Sequence, residues 1–160
     1  MTDPVLFLLV LLAALGSALI GGLFFAFSAC VMSALGRLPA HQGMAAMQSI
    51  NRAILNPVFF SVFFGTGAVC AALTAVALVN WSEPYAAWLA TGAALYLIGG
   101  ILVTVVFNVP LNRALALASS VENAENDALW RRYLSSWTAW NHLRLVACLA
   151  ASALLVISLY

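Results

Sequence analysis

Charge is what this chain has least of. Only 7% of its 160 residues are Asp, Glu, Lys or Arg, and lysine is absent, so all six basic residues are arginines. A soluble domain carries about 25% charged residues to cover its surface, so a free globular domain is excluded. No nucleic-acid partner is expected. Histidine occurs only twice, as His41 and His142, and the two do not form a pair at metal-ligand spacing. There is no glycine-rich phosphate loop and no pair of carboxylates inside an apolar run. Cys30, Cys70 and Cys148 all fall within apolar runs without metal-type spacing, which reads as small packing residues. These absences argue against a protein-ligated metal centre and against proton-coupled transport.

Long apolar runs are what is there. The hydrophobic fraction is 65% and the mean hydropathy +1.06. Roughly 20 helical residues cross the hydrocarbon core of a bilayer, and four runs meet that length, at about 5–35, 57–79, 86–109 and 138–159. They do not alternate as outer-membrane strands do, and a backbone inside lipid must satisfy its own hydrogen bonds. The expected fold class is therefore all-α: a single integral membrane domain over 1–160, a bundle of four transmembrane helices. The first run has no basic start and outlasts a signal-peptide core, so it is expected to be a retained helix.

The arginines orient the chain. Arg37 and Arg52 lie between runs one and two, Arg113, Arg131 and Arg132 between runs three and four, and Arg144 in the first turns of run four. By the positive-inside rule these two connections face the cytoplasm and both termini face the other side. A bacterial inner membrane is the expected location. The first connection predicts an amphipathic helix over 41–55, because Met44, Met47, Ile50 and Ile54 recur at helical spacing. In the second, Glu122, Glu125 and Asp127 precede Trp130, Tyr133 and Trp137, so the fourth helix is expected to begin in the cytoplasm with an acidic first turn. Gly16, Gly21, Gly22, Gly65, Gly67, Gly92, Gly99 and Gly100 mark faces where helices can approach closely. The same faces make a homo-oligomer an expected partner alongside the lipid bilayer.

Polar residues gather at the arginine-bearing ends of the runs. Asn51 and Asn56 flank the start of run two, Asn108, Asn112 and Arg113 close run three, and Trp137, Trp140, Asn141, His142 and Arg144 open run four. An amide in hydrocarbon without a partner costs roughly 2–7 kcal/mol, so such residues need a reason. Singly, each has a plain one: arginines snorkel and asparagines join helices. Together they suggest a polar pocket with aromatic walls, to which Phe27 and Phe59, with Phe24, Phe25, Phe60, Phe63 and Phe64, can contribute.

Several segments carry a family resemblance: Gly22-Leu23-Phe24-Phe25-Ala26-Phe27-Ser28 with Val31-Met32, Met47-Gln48-Ser49-Ile50-Asn51, Asn56-Pro57-Val58-Phe59, Asn108-Val109-Pro110-Leu111-Asn112, and Trp137-Thr138-Ala139-Trp140-Asn141-His142-Leu143-Arg144. In these the chain resembles the anthrone-oxygenase-like family of small four-helix membrane proteins. Ser33 follows the Val-Met pair where many relatives carry proline. The resemblance implies oxidation of a lipophilic phenolic or enolisable aromatic, such as an anthrone, without an organic cofactor. On that reading His142 is the general base, an imidazole being suited to proton transfer near neutral pH. Arg144 and Asn141, with Asn112, stabilise the developing oxyanion, while Asn51, Asn56, Asn108, Arg113, Trp137, Trp140, Phe27 and Phe59 bind the substrate. Two other readings stay open at this point: a non-catalytic module that binds a lipid, quinone or partner protein, and a haem or metal redox protein with His142 as axial ligand.

Overall fold

Asp3 opens the first helix: its carboxylate accepts from the backbone N–H groups of Val5 at 2.8 Å and Leu6 at 3.2 Å, just ahead of Pro4. Asn56 does the same for the third helix, accepting from Phe59 N at 3.0 Å ahead of Pro57. An oxygen-bearing cap followed by proline suits a helix start, where the backbone donors are unpaired and the proline angle is already helical. The structure, a computed structural model, describes residues 3–118 and 123–160. Five helices form among them: α1 (Pro4–Gly36), α2 (Ala40–Ala53), α3 (Pro57–Val79), α4 (Ala86–Leu117) and α5 (Ala124–Ile157). Asn123 caps α5 by accepting from Asn126 N at 2.8 Å, with Glu125 and Asp127 in the first turn as expected; Glu122 lies outside the described residues.

The four long helices pack in a ring, α1 beside α5 and α3, and α4 beside the same two. Each is long and apolar enough to cross a membrane, and Leu8, Leu12, Leu15 and Leu19 line an outer face of α1 with more than half their surface uncovered. The chain is an integral membrane protein. Its inner core joins Val10, Ile20 and Phe24 of α1, Phe63 and Leu73 of α3, Leu89 and Tyr96 of α4 and Leu155 of α5. A second cluster at the arginine-bearing end seats the short α2 through Met44 and Met47 against Trp130, Tyr133 and Trp137. Gln48 fastens α2 by donating to the Leu115 and Ala118 carbonyls at 2.7 and 3.2 Å, at the end of α4, where Leu115 O also accepts from Ala118 N.

Two expectations change. The helix of the third apolar run, α4, does not close near residue 109 but continues through Pro110 to Leu117. The turn before that proline is a π turn, Thr104–Asn108, with Val109 N bonded back to Thr104 O. A widened turn absorbs the donor and the space that proline takes from a regular helix. Among the glycines, Gly16, Gly67, Gly92 and Gly99 do meet neighbouring helices, but a methyl at Gly22 or Gly65 would touch nothing. Those two face outwards, because their helices turn other sides to the ring.

Candidate active site

Three helices deliver polar groups to one level of the membrane. Arg144 lies 13 residues before the end of α5 at Ile157, about 20 Å at 1.5 Å per residue. That is less than the roughly 30 Å of a hydrocarbon core, which sets Arg144 within the length of helix a span would use. It is only 4% exposed. Its Nη2 donates to Asn141 Oδ1 at 2.6 Å and its Nη1 to Thr104 Oγ1 at 3.1 Å. Its Cζ stands 4.2 Å from the centre of the Phe24 ring and 5.0 Å from that of Trp137. Aromatic faces attract a cation, but every one of these partners is neutral. The nearest described carboxylate along α5, that of Asp127, is 17 residues away. Among the described residues no carboxylate pairs with the guanidinium, and its Nε finds no acceptor.

Two π turns shape this level. In α1 the wide turn is Phe27–Val31, with Met32 N bonded to Phe27 O; in α4 it is Thr104–Asn108. Such turns are rare and often occur at functional positions. The first carries Ser28, and Asn141 Nδ2 donates to Ser28 Oγ at 2.7 Å and to Phe24 O at 2.8 Å. The second carries Thr104 and Asn108, and Asn108 Nδ2 donates to Trp137 O at 3.3 Å. One turn further, Asn112 Oδ1 accepts from both Tyr133 OH and Trp137 Nε1 at 2.8 Å. These bonds fix the Trp137 ring, which Phe27 also meets at 5.4 Å.

Between these groups and α2 lies a cavity of about 110 Å³, lined by Phe24, Phe27, Asn51, Phe59, Thr104, Asn112, Trp137 and Arg144, with Leu23, Met47, Ile50, Ile54, Leu55 and Val109. It is smaller than a drug-sized ligand site, which runs from about 300 Å³. Asn51 approaches the Tyr133 hydroxyl, yet its buried Nδ2 finds no acceptor in hydrogen-bond geometry. The lining therefore offers two unused donors, Asn51 Nδ2 and Arg144 Nε, amid apolar walls.

Of the residues singled out in the sequence, Phe27, Asn51, Phe59, Asn112, Trp137 and Arg144 come together on this cavity. Asn141 and Asn108 stand behind it as struts. The others are elsewhere. Asn56 is committed to its cap, also donating from Nδ2 to Ala53 O at 2.9 Å. Arg113 is exposed. Trp140 stacks on Phe107 at 3.7 Å. His142 is exposed on the opposite side of α5, in an outer groove with Ser28, Ser33, Ser135 and Thr138, and its Nδ1 is 2.9 Å from Ser28 Oγ. Thr104, Ser28 and Tyr133 join the site without having been singled out for it. Thr104, Asn108 and Asn112 recur every fourth residue, a polar stripe that could have exposed the first of them. Among the described residues, no group of three or more His, Cys, Asp or Glu side chains gathers as a metal would need.

A family model described as anthrone oxygenase matches residues 59–154, more than half of the chain and all of the α4 and α5 part of the site. The chain belongs to the anthrone oxygenase family. That membership points to an oxygenase-like function. No curated protein and no solved structure matches the chain. Within this family member, the Asn-Val-Pro-Leu-Asn and Trp-Asn-His-Leu-Arg segments have distinct physical tasks. The first builds the π turn and the Trp137 clamp, and the second holds the buried cation.

Proposed function

We propose that the chain oxidises a lipophilic, enolisable aromatic compound, held as its oxyanion in the cavity beside Arg144. The observation that carries this reading is the buried guanidinium with neutral partners, an open Nε and aromatic neighbours. A charge inside a membrane is costly and marks a functional site by default, and an anionic ligand supplies what the fold leaves out. Asn141 and Thr104 hold two of its nitrogens from behind, so the cation is aimed before the ligand arrives, the arrangement that favours charge development. Phe27, Phe59 and Trp137 supply the faces on which a flat ring system packs.

The chemistry needs no further group from the protein. Arg144 favours loss of the acidic C–H proton to water at the cavity mouth, and the bound enolate passes one electron to dioxygen. Recombination at the same carbon and return of a proton give a hydroperoxide. Loss of water across the remaining C–H and the O–O bond leaves a carbonyl, so that CH2 and O2 become C=O and H2O. His142, on the outer groove, acts through Ser28 and Asn141 and does not touch the ring. The arginine-bearing end faces the cytoplasm in this reading, both termini facing away. The test is oxygen uptake by purified protein in lipid nanodiscs with anthrone. Uptake with anthraquinone formation, lost in Arg144→Met, supports the reading; catalysis undiminished in Arg144→Met sinks it.

A further inference from the structure

We infer that α2 is a ligand-closed cover, and that Asn51 is the residue on it that reads the bound oxyanion. The inference rests on the oxyanion cavity proposed above and adds a second donor, from a different element. Three observations point to it. First, the two unused buried donors on the lining come from opposite sides, Arg144 from α5 and Asn51 from α2. A ligand oxygen accepting from both would tie α2 to the four-helix ring. Secondly, the cavity's 110 Å³ is less than the roughly 150 Å³ of an engineered cavity that binds benzene. A substituted ring therefore more than fills the space and presses on its walls, α2 among them. Thirdly, α2 is the one wall outside the ring of long helices: it spans only Ala40–Ala53 and joins α3 through the short Ile54–Asn56 link. Its hold on the rest comes from Met44, Met47, the Gln48 bonds and the close passage of Gly43 against Trp130.

The ligand class follows from the lining. Both open groups are donors, so the ligand brings acceptors: a phenolate, enolate or carboxylate oxygen on a flat apolar body. A neutral ring of the same shape gains the walls but not the two hydrogen bonds. Asn51 is then a specificity residue. It favours the anion and, through it, the closed position of α2.

The test uses the whole protein in nanodiscs with two probes: 4-nitrophenol, whose visible absorbance reports the phenolate, and 4-nitroanisole, the same ring without an ionisable oxygen. Wild-type protein is expected to bind 4-nitrophenolate saturably and to slow hydrogen exchange across residues 40–53 as it does so. Asn51→Leu is expected to weaken phenolate binding by about ten- to a hundredfold, as for a lost hydrogen bond to a charged group, and to abolish the change in exchange. Asn51→Asp places a carboxylate on the same cavity as Arg144, and is expected to exclude the phenolate while keeping the unfolding temperature. In both variants 4-nitroanisole binds as in wild type, which separates a lost recognition group from a damaged fold. Phenolate affinity unchanged in Asn51→Leu but lost in Arg144→Met overturns the inference and leaves the oxyanion site standing. Affinity unchanged in both variants, or no saturable binding by wild-type protein, overturns the two together.

Discussion

Replacing Arg144 with methionine sets two consequences of one side chain against each other. Methionine keeps an unbranched apolar body of similar reach and removes the charge. On the stability side, the variant loses the bonds to Asn141 and Thr104, each about 1.5–3 kcal/mol for a charged donor. It also loses two cation–aromatic contacts, about 0.5–1 kcal/mol apiece or more where water is excluded. Against these stands relief from holding an unpaired ion out of water, several kcal/mol in real proteins. The opposing effects are of equal size, so the unfolding temperature is expected to stay within a few degrees of wild type. On the binding side nothing compensates. Removing one partner of a buried charge pair costs about 2–5 kcal/mol, so affinity for an aromatic oxyanion is expected to fall by about thirtyfold to several thousandfold. Tryptophan fluorescence, with Trp137 beside the site, follows unfolding, and 4-nitrophenol titration follows binding. An Arg144→Met protein that unfolds at much lower temperature yet binds the anion normally would refute the reasoning and make the arginine a structural strut.

Four further substitutions test the surrounding architecture. Asn56→Ala removes the cap of α3 and the tie to Ala53 O; a loss of about 1–2 kcal/mol is expected in thermal unfolding, with KM for anthrone unchanged. Gly43→Ala drives a methyl into the Trp130 ring and the Leu35 carbonyl and is expected to cost about 1–3 kcal/mol. Gly65→Ala, facing open space, is expected to leave unfolding unaltered in the same assay. His142→Ala breaks the contact with Ser28 but leaves the cavity lining whole, so kcat on anthrone is expected to fall by less than tenfold, as suits the loss of one indirect hydrogen bond; a drop of a thousandfold would restore the imidazole to direct proton transfer.

Much of the fold is legible in the sequence because lipid imposes a single strong constraint. Runs of apolar residues long enough to cross it have to be helices, and Met44, Met47 and Ile50 betray α2 by spacing alone. The polar side chains are legible for a related reason: Asn112, Asn141 and Arg144 are too costly in hydrocarbon to lack a purpose. Their grouping is harder to read. Asn141 and His142 are neighbours in sequence but point about 100° apart on a helix of 3.6 residues per turn, so one faces the ring and the other the outer groove. Ser28, which touches both, is 113 and 114 residues away, a pairing that local pattern cannot supply. Asn56 looks like a site residue by composition and is a cap by position. The π turns of α1 and α4 leave no mark in residue type.

The polar partners of α5 have a temporal order as well as a spatial one. Arg144 and Asn141 bond to Thr104 of α4 and to Phe24 O and Ser28 of α1, all of which are synthesised before them. An arginine at the centre of a helix costs about 2.5–3.5 kcal/mol on entering the membrane alone. Here it follows Thr104 and the Phe24 ring in the chain, while Asn141 and Trp137 enter beside it on α5. Translation order thus lets the least insertable segment be received by its finished neighbours, and a chain truncated before α5 is left with Asn108 and Thr104 facing an empty berth.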